Sequence, residues 1–166
     1  MTPNFLIVFL AALIPMFVGF IYYNPKVMGT AWMKECGLTM DDAKKGNMVK
    51  VLLTAFAFSI IISMFMWGIV IHQNAIYSIL ANEPGIADPD SEISLWVKDF
   101  MDKYGNNFRT FKHGAFHGVL TAIFFAWPII GTGAIFEGKS AKYIFIHVLY
   151  WIFSLGLMGG VICQWG

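Results

Sequence analysis

The chain has 166 residues, of which 58% are hydrophobic and only 13% are charged, and its formal net charge at pH 7 is +1. This composition is too apolar for an ordinary soluble domain. The near-neutral charge argues against nucleic acid as a partner, because phosphate binding requires a concentrated basic surface. The composition therefore favours a single transmembrane domain over residues 1–166, with the lipid bilayer as its surroundings.

Four apolar segments are long enough to cross a bilayer, whose hydrocarbon core of about 30 Å requires about 20 apolar helical residues. We predict transmembrane helices over about residues 4–24, 48–80, 111–136 and 142–164. No basic residue precedes the first segment and no small-residue cleavage motif follows it, which favours a retained helix over a signal peptide. The expected fold is an all-α polytopic membrane protein with these four helices in a bundle.

The second helix is expected to extend beyond both ends of its apolar core. Thr39 and Asp42 have the spacing of a capping box, which predicts a helix N-terminus near Met40. From there we expect one continuous helix that passes His72 and ends near Ala81.

The loop between the second and third helices contains a predicted amphipathic helix over about residues 89–104. Asp88 and Pro89 are typical of an N-cap followed by proline in the first turn. Apolar residues then recur at spacings of three and four, with charged residues between them. These apolar residues are Ile93, Trp96, Val97, Phe100, Met101 and Tyr104. The helix is interpreted either as a lid or partner-docking surface, or as an interfacial helix anchored by its aromatic residues.

Orientation follows from the basic residues, because positively charged loops are retained on the cytoplasmic side of the membrane. Seven of the eleven lysines and arginines lie in the first and third loops, and four lie in the second. The seven are Lys26, Lys34, Lys44, Lys45, Lys50, Lys139 and Lys142. We therefore predict both termini outside and the first and third loops in the cytoplasm.

Three of the four histidines are predicted near the outer face. His113 and His117 are four residues apart and so share one face of the third helix. His72 can supply a third ligand if the second and third helices are neighbours. This trio is a candidate metal site, with haem binding or proton transfer as related possibilities, although no HExxH motif accompanies it. The other interpretation is that these histidines bond to backbone, solvent or lipid headgroups.

A second group of residues is predicted at the cytoplasmic face. Tyr22 and Tyr23 can anchor the first helix at the interface, and Pro25 turns the chain so that Trp32 returns to the bilayer surface. These residues and Glu137 are a possible binding site if the two cytoplasmic loops meet, or they have a purely structural role. His147, deeper in the fourth helix, is expected to be neutral and hydrogen-bonded inside the protein.

Small residues and prolines predict how the helices pack. Gly114 and Gly118 form a GxxxG spacing in the third helix, and Gly156 and Gly160 form another in the fourth. Packing within the chain is the favoured interpretation, and contact between copies is the alternative. Pro15 lies inside the first helix, where it removes a backbone hydrogen bond and predicts a kink.

Two sequence patterns, at the start and at the end of the chain, carry a family resemblance. The first contains Gly19, Tyr22, Tyr23, Pro25, Gly29, Trp32 and Gly37-Leu38-Thr39. The second contains Phe136-Glu137-Gly138-Lys139-Ser140, Tyr150-Trp151, Leu157-Met158-Gly159-Gly160 and Trp165. Together they resemble the domain of unknown function 1761 family of small bacterial membrane proteins. The resemblance implies four spanning helices, and it implies no activity and no functional residues. We therefore expect a multi-pass protein of the bacterial inner membrane.

The sequence contains no nucleotide-binding glycine loop, nucleophile elbow or paired carboxylate site, so we expect neither enzymatic activity nor an organic cofactor. The leading hypothesis is a non-enzymatic protein that acts by association with itself or with other membrane proteins. The alternatives are a small-solute transporter or channel formed by an oligomer, or a metal- or haem-binding membrane protein that uses the outer histidines.

Overall fold

The computed structural model describes residues 3–39, 41–42 and 46–166, and every regular element in these ranges is helical. Four helical segments within them are long and apolar enough to cross a membrane. They are Phe5–Tyr22, Met48–Val70, Phe111–Phe136 and Ala141–Trp165. The all-α class and the four apolar helical segments predicted from the sequence are therefore confirmed.

The first apolar segment consists of two helices, α1 (Phe5–Ala11) and α2 (Ile14–Tyr22). The break lies at the predicted proline kink, because Pro15 has no backbone N–H to donate. The N–H of Met16 bonds to the carbonyl of Leu13, which leaves the carbonyl of Ala12 without a helical donor. The buried Ser59 of the second segment replaces that donor, with its Oγ 2.6 Å from the carbonyl oxygen of Ala12.

After α2, a π-helical turn (Pro25–Gly29) leads into α3 (Thr30–Cys36). Thr39 and Asp42 then form the reciprocal capping pair that their spacing predicts. Thr39 Oγ1 accepts from the backbone N–H of Asp42 at 3.2 Å, and Asp42 Oδ2 accepts from the backbone N–H of Thr39 at 3.1 Å. The predicted helix start at Met40 lies outside the described residues, as do Lys44 and Lys45 of the first loop.

The second apolar segment is shorter than predicted. We expected one helix past His72 towards Ala81, and this is wrong, since α4 (Met48–Val70) ends first and a separate α5 (Asn74–Ile79) follows. Ile71 leaves the helical backbone conformation, with φ −101° and ψ 88°, and its side chain is fully buried. The break falls on the polar residues His72, Gln73 and Asn74, and no glycine or proline marks it.

The predicted helix between the second and third segments is present as α6 (Glu92–Tyr104). Its N-cap is Ser91, whose Oγ accepts from the backbone N–H of Ser94 at 3.2 Å. The predicted start at residue 89, with Asp88 as N-cap, is therefore wrong by one turn. Val97 is buried against the rest of the protein, so α6 is packed along part of its apolar face.

The third apolar segment contains α7 (Phe111–Thr121), a π-helical turn (Ala122–Ala126) and α8 (Trp127–Phe136). The fourth segment is α9 (Ala141–Trp165).

Helix α9 packs closely against α7 and also contacts α1, α2, α4 and α8. Its buried Met158 and Ile162 share a core cluster with Met66 of α4 and with Ile71. Helix α9 is thus the element against which the other apolar segments are positioned.

Glycines allow α7 and α9 to approach each other closely. A Cβ atom added to Gly114 would lie 2.1 Å from the carbonyl oxygen of Gly159, and one added to Gly118 would lie 2.0 Å from that of Leu155. No side chain fits at such distances, so glycine is required at both positions. The GxxxG surface of α7 is therefore used within the chain, as the favoured interpretation of the sequence predicts.

Candidate metal centre

Three histidines from two parts of the chain meet at one end of the apolar helices. His72 lies in the turn between α4 and α5, whereas His113 and His117 lie one helical turn apart on α7. The Nε2 atom of His72 is 2.8 Å from Nε2 of His113 and 3.2 Å from Nε2 of His117. Ligand nitrogens of all three lie within 4.8 Å of one another. The structure thus brings together the three residues that the sequence proposed as metal ligands.

Hydrogen bonds within the trio do not satisfy all three nitrogens well. A neutral imidazole has one N–H and one lone pair on its two nitrogens. Nε2 of His72 can therefore donate one hydrogen towards one neighbour, and it then has no lone pair for the other. A bound cation, in contrast, accepts a lone pair from three imidazoles at once.

The spacing of the nitrogens suits a small metal ion. In a tetrahedral zinc site with Zn–N bonds of about 2.0–2.1 Å, neighbouring ligand nitrogens lie about 3.4 Å apart. The separations of 2.8 and 3.2 Å from His72 to its two neighbours are slightly shorter than this. Small rotations of the rings would therefore be enough to admit an ion.

The two histidines of α7 are held by the helix itself. Thr110 caps α7, and its Oγ1 accepts from the backbone N–H of His113 at 3.3 Å. Thr121 Oγ1 donates to the carbonyl oxygen of His117 at 2.8 Å. Because Gly114 lies between these residues and fixes α7 against α9, the histidine pair has a defined position relative to the core.

His72 is exposed, and its position depends on its two neighbours in the chain. Ile71 is fully buried in the core. Gln73 is also buried, and its Nε2 donates to the carbonyl oxygen of Asn107 at 2.9 Å. The helix break that the sequence did not predict is therefore what directs His72 towards α7.

Phe108 covers one side of the trio, and no sequence pattern predicted its place there. Its ring centroid is 5.1 Å from that of His113. Its backbone has a positive φ of 61°, a conformation that glycine adopts readily and bulky residues rarely adopt. Its carbonyl oxygen accepts from the backbone N–H of Thr110 at 2.8 Å and from Sγ of Cys163 at 3.3 Å. These bonds hold the strained backbone in place beside the candidate site.

A cavity of about 390 Å³ adjoins the histidines. It lies between α5, α6 and the loop that precedes α7. Its lining is His72, Gln73, Ala75, Ile76, Phe100, Tyr104, Asn107 and Phe108. Most of this lining is apolar, and His72 is the lining residue that belongs to the trio.

The predicted aromatic group lies at the opposite end of the helices, where it is packed into the protein. The ring of Tyr23 is 5.3 Å from that of Trp32, and its hydroxyl is 3.1 Å from Nδ1 of His147. The buried Tyr22 donates to the carbonyl oxygen of Ile146 at 2.9 Å. These contacts join α2 to α9, and His147 has the internal hydrogen bond that its depth predicts.

Glu137, proposed as part of the same group, lies apart from it. It is exposed after α8, and within the described part of the chain its side chain makes no hydrogen bond or ion pair. Glu35 of α3 makes the link between the two loops, since its carboxylate accepts from Ser140 Oγ and lies 3.5 Å from Nζ of Lys142. The Ser140 hydrogen bond, followed by the Lys142 charge, lowers the pKa of Glu35 below its ordinary value.

Comparison with protein families gives one result that covers nearly the whole chain. A family model described as "Protein of unknown function (DUF1761)" matches residues 6–163. This match confirms the resemblance indicated by the sequence. Comparison with curated proteins and with solved structures gives no match. Function must therefore be inferred from the geometry of the chain's own residues.

Proposed function

Because the chain belongs to the DUF1761 family, for which no function is assigned, we propose from its own residues that it is a metal-binding membrane protein. One first-row divalent ion, such as Zn²⁺, is held by His72, His113 and His117. The observation that supports this most strongly is the convergence of their Nε2 atoms, at 2.8 and 3.2 Å from His72. Imidazole nitrogen suits zinc, copper, iron and nickel better than it suits magnesium or calcium.

Three protein ligands leave a coordination position open. Structural zinc sites are closed by four protein ligands, whereas sites that bind a further molecule keep one position free. The described residues contribute three histidines to this cluster and no cysteine, aspartate or glutamate. We therefore expect the ion to carry a water molecule or an exchangeable ligand.

The geometry favours a bare ion over haem. In a haem with two axial histidines, the ligand nitrogens lie on opposite faces of the porphyrin, with the iron between them. Nε2 of His72 is so close to both of its partners that no macrocycle fits between the rings. A metal ion needs only the small space at the centre of the trio.

The surface of the helices supports a position in the membrane. Large apolar side chains on the first and third apolar segments are largely exposed, with Phe20 at 81%, Phe124 at 75% and Phe136 at 88%. Apolar exposure of this kind on long helices matches contact with lipid. The distribution of basic residues in the loops supports an inner-membrane orientation with both termini outside, which places the loop that contains α6 on the outer side.

Binding, rather than catalysis, is the proposed role. Hydrolysis at a zinc ion usually needs a general base such as a carboxylate near the metal-bound water. Among the described residues that line the cavity or touch the trio there is no aspartate or glutamate. Association with another membrane protein or a second copy would use surfaces other than Gly114 and Gly118, which are covered within the chain.

Metal analysis of the purified protein tests the proposal. The protein is reconstituted in lipid nanodiscs, incubated with Zn²⁺ and desalted. Its zinc content is then measured by inductively coupled plasma mass spectrometry. We expect about one zinc ion per chain in the wild type, and a loss of most of it in the variants H72A, H113A and H117A. His147, the histidine at the opposite end, provides the matched control, and H147A is expected to retain zinc. Equal zinc content in H113A and in the wild type would contradict the proposal.

A further inference from the structure

The cavity beside the trio indicates which class of ligand completes the metal's coordination. We infer that the centre receives a single-chain amphiphile of the fatty-acid type, with its carboxylate on the metal and its tail between α5 and α6. This inference rests on the proposed metal function. It goes beyond that function because it names the ligand and its path.

Charge favours an anionic head group. Three imidazoles are neutral when they bind a divalent ion, so they leave its charge uncompensated. His72 is exposed and His113 and His117 are only partly buried, so an anion can reach the ion and offset this charge. None of the described cavity-lining residues carries a carboxylate that could offset it. A carboxylate is a good ligand for such an ion, with Zn–O distances of about 2.0–2.2 Å.

The shape and chemistry of the cavity favour an apolar tail. Its volume of about 390 Å³ lies at the lower end of the range for small-molecule sites, about 300–1,000 Å³. Ile76 of α5 and Phe100 of α6 contribute apolar walls on its two sides. His72 and Phe108 line this cavity and both contact His113, so the cavity lies directly beside the trio.

An aromatic row on α6 extends the apolar surface away from the metal. The ring of Phe100 is 5.0 Å from that of Tyr104 and 5.6 Å from that of Trp96. Tyr104 and Phe100 line the cavity beside His72. Trp96 lines a second cavity of about 580 Å³ one helical turn further along. A tail that leaves the first cavity therefore has a continuous aromatic surface to follow.

Backbone strain at Phe108, which lines the cavity, is an independent observation. Phe108 is 65% exposed, yet its backbone is held at φ 61° by two hydrogen bonds to its carbonyl. Strained conformations of bulky residues persist where the surroundings fix them, and they concentrate at binding sites. The Phe108 ring contacts His113 and also lines the cavity, where an apolar ligand would contact it.

Visible spectroscopy of the cobalt-loaded protein tests the inference. Co²⁺ replaces Zn²⁺ in nanodiscs, and its visible absorption bands report directly on the fourth ligand. The probes are octanoate, acetate, which lacks the tail, and octan-1-ol, which lacks the carboxylate. We expect octanoate to change the bands at a concentration at least about tenfold lower than acetate, because its tail leaves water. We expect no change with octan-1-ol.

Two variants separate cavity binding from simple enrichment of octanoate in the lipid. F100A removes a cavity wall and is expected to abolish the advantage of octanoate over acetate. F145A removes an aromatic side chain that lines a different cavity, and the advantage should remain. The inference is overturned if cobalt bands form but octanoate leaves them unchanged, or if F100A keeps the full advantage. If no cobalt bands form in the wild type, the proposed metal function itself fails.

Discussion

Gly114 and Gly159 are in direct backbone contact where α7 meets α9. A Cβ on Gly114 would lie 2.1 Å from the carbonyl oxygen of Gly159, and a Cβ on Gly159 would lie 2.4 Å from that of Gly114. Gly114 follows His113 in the chain, so this contact also fixes the distance of the histidine pair from the protein core. Close packing of the helices and geometry of the candidate site therefore depend on the same residue.

Replacement of Gly114 by alanine is expected to destabilise the protein. The methyl group would force the two backbones apart, and overpacking of this kind costs about 1–3 kcal/mol. Gly133, on α8 of the same apolar segment, is the control, because a Cβ there meets nothing within 4 Å. Thermal unfolding in mild detergent should show a lower Tm for G114A and an unchanged or higher Tm for G133A. Equal Tm values for the two variants would contradict the described packing.

Ser59 and Ser63 allow a finer test of the break between α1 and α2. Ser59 donates to the carbonyl of Ala12, which lacks its helical donor, whereas Ser63 donates to the carbonyl of Val8, which also accepts from a backbone N–H. S59A should therefore lower the free energy of unfolding by about 1–3 kcal/mol, and S63A by about 0.5–1.5 kcal/mol. Reversible unfolding of the two variants under the same conditions measures the difference. A larger loss of unfolding free energy in S63A than in S59A would contradict this description of the break.

Gln73 should affect metal affinity although it is not a ligand. Its side chain holds the turn that carries His72 through the bond to the carbonyl of Asn107. Q73M keeps the size of the side chain but removes the donor, so the turn that carries His72 becomes less well fixed and metal affinity should fall, by less than the about 10–100-fold typical of groups bonded directly to a ligand. Cobalt titration should show weaker binding with unchanged stoichiometry. The exposed Asn106 provides the control, since N106A should bind cobalt like the wild type.

The link between Glu35 and Ser140 should make stability depend on pH in the acid range. The pKa of Glu35 is lowered in the folded protein, chiefly by the Ser140 hydrogen bond, from an ordinary value of 4.5. Its contribution is therefore fully present above about pH 4.5 and is lost as the pH falls through the lowered value. The Tm difference between the wild type and E35Q should shrink as the pH is reduced from 7 to 3. The exposed pair of Lys98 and Asp102 supplies a control, D102N, because exposed ion pairs contribute little to stability.

The parts of the structure that follow from local periodicity could be predicted from the sequence. The four segments could be identified from the length of their apolar runs alone, because a helix that is apolar over about 20 residues is favourable in a lipid bilayer. The spacing of His113 and His117 placed both on one face of a helix, and the GxxxG spacing of Gly114 and Gly118 indicated close packing. Pro15 marked the break in the first segment, since its missing N–H acts locally.

The parts that depend on distant contacts could not be predicted. The end of α4 before His72 follows from the burial of Ile71 and from the bond between Gln73 and Asn107, which lies 34 positions further on. Glu35 was missed because its partner Ser140 is 105 positions away. Local propensity carries no information about either contact, and tertiary interactions override it at both places.

X-ray absorption at the zinc edge of the loaded protein is the most direct test of the metal centre. The proposed geometry predicts a first shell that contains three imidazole nitrogens at about 2.0–2.1 Å. The little zinc that H113A retains should show fewer imidazole ligands, and the zinc in H147A should show as many as in the wild type. A wild-type spectrum without imidazole scattering, or one that H113A leaves unchanged, would contradict the assignment of His72, His113 and His117 as the metal site.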